Sequence, residues 1–410
     1  MRLLILAWKN LFRNKRRTLI TLAAMSFSLM LVQGYHNFSL GAYRHMVESG
    51  VRTGSGHIAV YRGDYAASRD EKLSYYPGNL IAEITRIHGV RQVLPRVYFP
   101  GMAQSSRASR GILLTGVDPR IEPLVNPFLK NLPSGQMIRS SDGRDALVGS
   151  KLLQELKIGE GGKFVVTVQN RQGELVNELF RVRGTIHTGI RNVDDSLVMV
   201  GRQRAAAMGG IPGSIHELAV VLGSANADRS VLPLVERLLR DKAELAAVPW
   251  EKAMPNLYNA IRWDYVSTRF VFVVILLIVT IGVVNTLLMS VLERIREFGV
   301  ILALGATPGR LRRMILTEAL LLGSVSLVIG TLLGSLVTWY LAVYGIDLRF
   351  LIPENIEFGG VVFSTRLHAA WDLPWMARIA MYVMVLCLAA SFYPAMKAAR
   401  ISPVKAMRHV

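Results

Sequence analysis

Residues 271–292 read VFVVILLIVTIGVVNTLLMSVL, an uncharged run closed off by Arg269 on one side and Glu293 on the other. A helix of roughly 20 such residues crosses the hydrocarbon core of a bilayer. Working outward, three more apolar runs of that order of length follow the same pattern: Thr18–Phe38, Ile315–Gly345 and Ile379–Met396. Over two hundred residues of ordinary polar sequence separate the first two runs. The expected fold class is therefore an α-helical membrane protein with four transmembrane helices plus a large α+β extracytoplasmic domain.

The apolar fraction of 51% is little above soluble usage, so the hydrophobic signal lies in where those residues sit. A net charge of +19 would ordinarily raise nucleic acid as a partner. Placement argues against it. Residues 1–17 carry Arg2, Lys9, Arg13, Lys15, Arg16 and Arg17 with no acid, and the tail carries Lys397, Arg400, Lys405 and Arg408 with none. The loop Glu293–Arg313 has five Arg against Glu293 and Glu297, whereas 346–378 has three Arg against four acids. Basic flanks stay cytoplasmic, so both termini and 293–313 belong inside, with the large domain and 346–378 outside. The domain itself holds 30 Lys/Arg and 22 acids over 39–269, which fits a solvated surface or an affinity for anionic lipid.

A cleaved signal peptide is the rival reading of the first run, with Lys15–Arg17 as the basic region. The run continues into Gly34 and beyond, and only Leu40-Gly41-Ala42 approaches a cleavage site. The single Cys387 lies in the last span and excludes an intrachain disulfide.

The expected organisation starts with an amphipathic cytoplasmic helix (1–17), whose Leu4, Ala7, Trp8, Leu11 and Phe12 share a face, and a first span at 18–38. The external domain occupies 39–250. Strands are expected at His57–Arg62, Val93–Phe99 and Ile112–Val117, with a helix after Asn79 as its cap. A β-rich insertion at about 125–205 holds Ala146–Gly149, Phe164–Gln169, Glu178–Arg183 and Leu197–Val200, with a hairpin at Asn170–Gly173. Glu217–Leu222 and a helix near Ser230–Leu239 close the module. Leu245–Arg269 reads as a stalk helix, with Pro255 starting or bending it, so that 251–292 forms stalk and second span. A cytoplasmic loop (293–314), a third span (315–345), an external loop (346–378), a fourth span (379–396) and a cytoplasmic tail (397–410) complete the chain.

The 293–313 loop is the most specific segment. Ile295, Phe298, Ile301 and Leu302 oppose Arg294, Arg296 and Glu297; Gly305 stops a helix and Thr307-Pro308 restarts one. This pattern suits either a rigid knob for a partner groove or a plain loop with stop-transfer charges.

The segment Glu293-Arg294, Glu297-Phe298-Gly299, Ala303-Leu304-Gly305-Ala306-Thr307 resembles the coupling loop of the FtsX/MacB-type ABC transporter permeases. The tail from Tyr393-Pro394-Ala395 through Ala398-Ala399-Arg400 to Pro403 and Arg408 is similar to that family's ending. The opening Trp8-Lys9-Asn10-Leu11 is similar to its first helix. Looser likenesses at Leu114–Pro119, Val148–Ser150 and Phe180–Thr185 lean toward the lipoprotein-releasing permeases LolC and LolE.

The resemblance implies a non-catalytic permease subunit, paired with itself or with a second permease, coupled to a separate ABC ATPase that binds ATP and Mg. It further implies a bacterial inner membrane location and mechanotransmission. Glu293, Arg294, Glu297, Phe298, Gly299, Leu302, Ala303, Leu304, Gly305 and Ala306 would form the ATPase-coupling site. Pro100, Gly101, Met102 and Gln104, just before the basic run Arg107–Arg110, would contact a lipoprotein cargo or a periplasmic chaperone. The family alternatives are peptide or drug efflux through an adaptor, and FtsX-like regulation of a cell-wall hydrolase.

Glu160-Gly161-Gly162-Lys163 is no phosphate loop, because Lys157 and Phe164 stand where Gly and Ser/Thr are required. Ser326, Gly330 and Gly334 form a small-residue face for helix packing; Gly is common in spans, so the spacing alone does not decide this. Glu318 is expected at the interface or facing the bundle, and Asn285 in an interhelical hydrogen bond. The eight His residues show no metal-ligand spacing, and no catalytic constellation stands out.

Overall fold

The computed structural model describes residues 15–130, 132–188, 191–223, 228–347, 356–358, 361–363 and 366–400. The expected amphipathic helix at 1–17 and the tail at 397–410 therefore lie mostly outside the described residues. The chain divides into two compact units: the described residues of Met1–Ala42, Asp264–Ile346 and Arg366–Val410, and those of Tyr43–Trp263 and Asp347–Thr365.

The first unit is built from four helices long and apolar enough to span a membrane: Lys15–Thr53, Pro255–Glu293, Pro308–Val343 and Leu373–Ala399, referred to here as spans one to four. Their starts follow from local chemistry. Pro255 and Pro308 sit at first helical positions, where a missing N–H costs nothing. The Thr307 side chain accepts from the Arg310 N–H, and Asp372 accepts from the Trp375 N–H. Apolar side chains from all four helices meet in one core, among them Met25, Leu29, Val283, Leu287, Ala319, Leu322, Val383 and Cys387. Some polar groups inside the bundle are paired across helices, Thr21 with Thr286 at 3.1 Å and the Asn37 amide nitrogen with Thr338 at 3.0 Å, while Gln33 Oε1 and Asn37 Oδ1 take no bond from the described residues.

The second unit is a mixed sheet of nine strands: β1 (Ile58–Arg62), β2 (Val90–Gln104), β3 (Ser109–Val117), β4 (Asp145–Gly149), β5 (Lys163–Gln169), β6 (Leu175–Ile186), β7 (Leu197–Gly201), β8 (Glu217–Leu222) and β9 (Leu245–Pro249). The spatial order is β3-β7-β4-β6-β5-β2-β8-β1-β9, and an additional β2–β3 pairing closes the first six strands into a ring. Full closure removes sheet edges. Phe99, Ala103, Ile112, Leu114, Phe164, Val166, Phe180 and Val198 lie buried in its core.

Strand β2 serves both halves of the sheet. Up to Arg96 it pairs with β8; from Val97 it pairs with β3, and from Gly101 also with β5. Pro95 and Pro100 fall where one side of the strand is unpaired, so their missing donors break no ladder. At Gly101 a Cβ would lie 2.5 Å from the Thr167 carbonyl oxygen, so only glycine admits β5 that close.

The fold class is the expected one: four apolar helices and a mixed sheet domain. Several details differ. Leu245–Pro249, read as the start of a stalk helix, is an edge strand on β1; only Trp250–Ala253 and then the helix from Pro255 follow it. With Val248 its one β-branched residue, the stretch carries no strand pattern of its own and takes the free ladder of β1. The helix after Asn79 runs Leu80–Thr85, but the Asn79 side chain makes no capping bond, because the backbone already turns there from Pro77. The segment read as an insertion shares β2 and β3 with the rest, since the ring closes through them. The hairpin at Asn170–Gly173 forms as the turn residues require, with Gly173 at φ +88°.

Candidate functional site

The segment joining spans two and three folds as a short helix, Ile295–Ala303, between two turns. Its end is a Schellman motif. Gly305 takes φ +92°, its N–H bonds the Leu302 carbonyl at 3.1 Å, and the Ala306 N–H bonds the Ile301 carbonyl at 3.2 Å. A side chain at 305 would strain that turn.

Three fixings hold this helix as a knob. Phe298 is buried with Val291, Leu311, Ile315, Ala395 and Ala398, so the 293–307 and 393–400 motifs are two sides of one small core. Arg294 donates to Glu318 at 3.0 Å and to Glu297 at 3.3 Å, and its guanidinium carbon lies 5.0 Å from the Phe298 ring centroid. Arg17, from the start of span one, makes a bidentate pair with Glu293 at 2.8 and 3.0 Å. Gly299 is buried, and Leu302 is half-buried against the same core.

What remains outward is apolar. Leu304 is 82% exposed, Val300 45% and Ile301 37%, with Ala303 and Gly305 also exposed and Ala306 half-buried. Glu293, Arg296, Glu297, Val300 and Ile301 line an open cleft beside this face. Two sequence expectations are corrected. Ile301 faces out rather than toward Phe298, because the helix turns its 298–302 edge onto Leu311 and Ile315. Arg294 packs inward, drawn by the Glu318 carboxylate, a partner that no local pattern 24 residues away could reveal. The contribution of Arg17, 276 residues from Glu293, was likewise invisible beyond its place in a basic flank.

Pro100, Gly101, Met102 and Gln104 lie in the ring portion of β2. Gly101 faces the crowded side, while Pro100, Met102 (50% exposed) and Gln104 point outward. Leu113, paired to Pro100, and Leu179 are exposed on the same ring, and Gln104 lines a shallow depression with Lys163, Val165, Thr167, Asn177 and Leu179.

Ser326, Gly330 and Gly334 face span one. Ser26 donates to the Ser326 carbonyl at 3.1 Å, a Cβ on Gly330 would lie 2.9 Å from the Ser26 carbonyl oxygen, and one on Gly334 would lie 2.6 Å from Gln33 Oε1. Asn285, expected in an interhelical hydrogen bond, is exposed on span two and takes no such bond from the described residues.

A second polar cluster lies in the sheet domain and was not anticipated. Arg96 is buried with Glu122 at 2.5 Å and donates to the Gly54 carbonyl; Glu217, fully buried, accepts from Tyr61 at 2.6 Å and Tyr98 at 2.9 Å. Burial, with the Glu217 charge, pushes both phenols well up, so they remain donors. The cluster ties the residues just after helix Lys15–Thr53 to strands β1, β2 and β8.

Ser150, His187 and Asp194 also converge, but Ser150 Oγ and Asp194 both approach Nδ1 of His187, at 3.0 and 3.3 Å. One nitrogen cannot serve both as base toward Ser and as donor toward Asp, so this is no triad. Among the described residues no group of three His, Cys, Asp or Glu side chains could hold a metal ion.

Residues 269–403 match the family model described as FtsX-like permease C-terminal. The chain is 23% identical over 345 residues to the lipoprotein-releasing system transmembrane protein LolC of Neisseria meningitidis, covering 81% of each chain. It is also 23% identical over 427 residues to the pyoverdine export ATP-binding/permease protein PvdT of Pseudomonas entomophila, covering 98% of this chain and 58% of that protein. Among solved structures, the periplasmic region of MacB from Actinobacillus actinomycetemcomitans aligns with a TM-score of 0.37 at 14% identity, over 52% of this chain and 98% of that one.

Proposed function

Taking as premise that residues 269–403 form an FtsX-like permease domain, we propose that this chain is the membrane subunit of an ABC transporter that releases lipoproteins from the inner membrane. A separate ATPase docks on the 293–306 knob in the cytoplasm. The sheet domain stands on the periplasmic side, and a second permease completes the complex.

The observation that supports this reading best is the anchoring of the knob. Its own core and two ion pairs fix its base, while Leu304, Ile301 and Val300 are offered outward. Nothing in the fold of this chain alone requires a short helix to be so braced while exposing its apolar residues; a partner groove explains both. ATP-driven closure of the partner would push the knob, and helices Lys15–Thr53 and Pro255–Glu293, which each contribute residues to both units, would carry the movement outward.

Lipoprotein release is favoured by the similarity to LolC over most of both chains. The outward Met102 and Leu179 offer apolar surface to an acyl-bearing cargo, with Arg107 in the adjoining turn for acidic groups. Efflux is the second reading, favoured by the match to PvdT along 98% of this chain.

The test is co-purification of ATPase with full-length chain carrying Leu304→Asp. Loss of the ATPase with the fold intact is expected; retention at the wild-type level would contradict the docking site. Crosslinking from position 102 separates the two cargo readings: an acylated protein supports release, and an adaptor protein alone supports efflux.

A further inference from the structure

The knob ends of spans three and four carry charge that no described residue neutralises. Arg310, Arg312 and Arg313 open span three, Lys397 and Arg400 close span four, and all five are exposed. None pairs with a carboxylate of the described residues. Elsewhere around the knob the cations are matched: Arg17 holds Glu293, and Arg294 holds Glu318 and Glu297. Glu318, the acid nearest the span-three arginines in sequence, is therefore already taken.

Helix energetics does not account for these arginines. Arg310 lies in the first turn of span three, at the positive end of the helix dipole, where a cation is disfavoured. Packing brings the two charged ends together, because Leu311 and Ile315 of span three share a core with Ala395 and Ala398 of span four. The cations beside those buried positions border one seam. On span four, Tyr393, Lys397 and Arg400 follow at steps of four and three, so they share a helix face. Tyr393 is 55% exposed, and Phe392 beside it 51%. A phenol about 6 Å along the axis from the first cation is an interfacial arrangement, with the ring at the acyl boundary and the charges among phosphates.

We infer that the knob end of this helix pair is a binding site for an anionic phospholipid. The guanidinium forks of span three match phosphate oxygens two at a time, and Lys397 adds a point charge. The acyl chains lie along Tyr393 and along Leu320, which is 40% exposed and seven residues after Arg313 on the same helix face. A basic surface between neighbouring spans on the cytoplasmic side is the chemistry that holds such headgroups. Leu311, Ile315, Ala395 and Ala398 also seat Phe298, so a lipid held here borders the base of the knob. The inference goes beyond the permease reading and takes from it only that the knob end faces the cytoplasm.

The test uses the purified full-length chain in detergent, equilibrated with equal amounts of phosphatidylglycerol and phosphatidylcholine, and reads the retained phospholipid by native mass spectrometry. Wild type should keep phosphatidylglycerol about ten-fold over phosphatidylcholine. Lys397→Gln with Arg400→Gln should remove most of that preference. Lys15→Gln with Arg16→Gln, which takes two exposed cations from the start of span one, should keep it. Equal losses in the two variants would show diffuse attraction to net charge and overturn the site. A wild-type chain without preference would overturn it too, and that result does not depend on any variant folding. Inorganic phosphate should leave the retained lipid in place; its displacement by phosphate alone would contradict a lipid site. ATPase co-purification is read in the same preparations. ATPase lost from the Lys397 and Arg400 variant while its lipid preference stands would assign these cations to the ATPase and overturn the site. ATPase absent from wild type while the preference holds sinks the permease reading alone.

Discussion

Arg17 and Glu293 stand 276 residues apart in the chain and meet in a two-pronged ion pair at 2.8 and 3.0 Å. The pair joins the start of span one to the end of span two, where the knob begins. Its side chains are 28% and 38% exposed, so its net worth to stability is no more than about 1 kcal/mol. Its importance is positional. Arg17→Gln should leave the thermal midpoint of the purified chain nearly unchanged and lower ATPase co-purification several-fold. Adding Glu293→Gln should cost little more, because both changes remove one interaction. Additive losses in that cycle would show that the two residues act separately.

Phe298 and Leu304 should behave oppositely although both are apolar residues of the knob. Phe298→Ala empties a buried site and should cost about 3–5 kcal/mol, read as a lowered thermal midpoint in detergent. Leu304→Asp adds a charge to a side chain that is 82% exposed and should leave the midpoint unaltered while abolishing ATPase binding. Equal thermal effects would contradict the burial assignment.

Substitutions in the small-residue face of span three should rank by what they strike. A side chain at Gly330 meets the Ser26 backbone carbonyl at 2.9 Å, whereas one at Gly334 meets the movable end of Gln33. Gly330→Ala should therefore impair expression and lower the midpoint more than Gly334→Ala. The reverse order would place the contact between spans one and three elsewhere.

Much of this was legible in the sequence, and the remainder was hidden for definable reasons. The four spans announce themselves because about 20 apolar residues in series have few other uses, and Gly305 with Thr307-Pro308 spelled out the end of one helix and the start of the next. Strand β9 was lost because Leu245–Pro249 carries no alternation, its ladder to β1 being set by register rather than by pattern. Arg294, Glu318 and Arg17 were each visible as charges, but their pairing is a tertiary fact. The Arg96–Glu122–Glu217 cluster was invisible too, since buried charges have no periodicity to betray them.

That cluster gives a prediction on the sheet domain. Removing Glu217 leaves Arg96 with less compensation, Tyr98 without its carboxylate acceptor and Tyr61 with Ser55 alone, so Glu217→Ala should destabilise by about 3–5 kcal/mol. Tyr61→Phe should cost less, about 1–3 kcal/mol. Denaturant melts of the full-length chain give both values, and a near-neutral Glu217→Ala would contradict the role of the cluster.

His216 adds a pH dependence. Its Nδ1 accepts from the Tyr98 N–H at 3.0 Å, so Nε2 carries the proton toward the Glu71 carbonyl at 2.8 Å. Burial, the largest influence, holds its pKa below the ordinary 6.5, and burial does the same for His57. Below pH 6.5 the unfolded chain takes up protons that the folded chain refuses, so stability should fall with falling pH until the depressed folded values are reached. His216→Gln should flatten that slope in melts between pH 7.5 and 5; a slope unaffected by the change would assign it to other groups.

The central claim, that the knob is where an ATPase grips this chain, is tested most directly by a photoreactive residue at position 304 in native membranes. The account predicts a crosslink to an ABC ATPase that disappears when the reactive group is moved to the buried position 298. Crosslinks from position 304 to lipid alone, or to a protein on the periplasmic side, would contradict it.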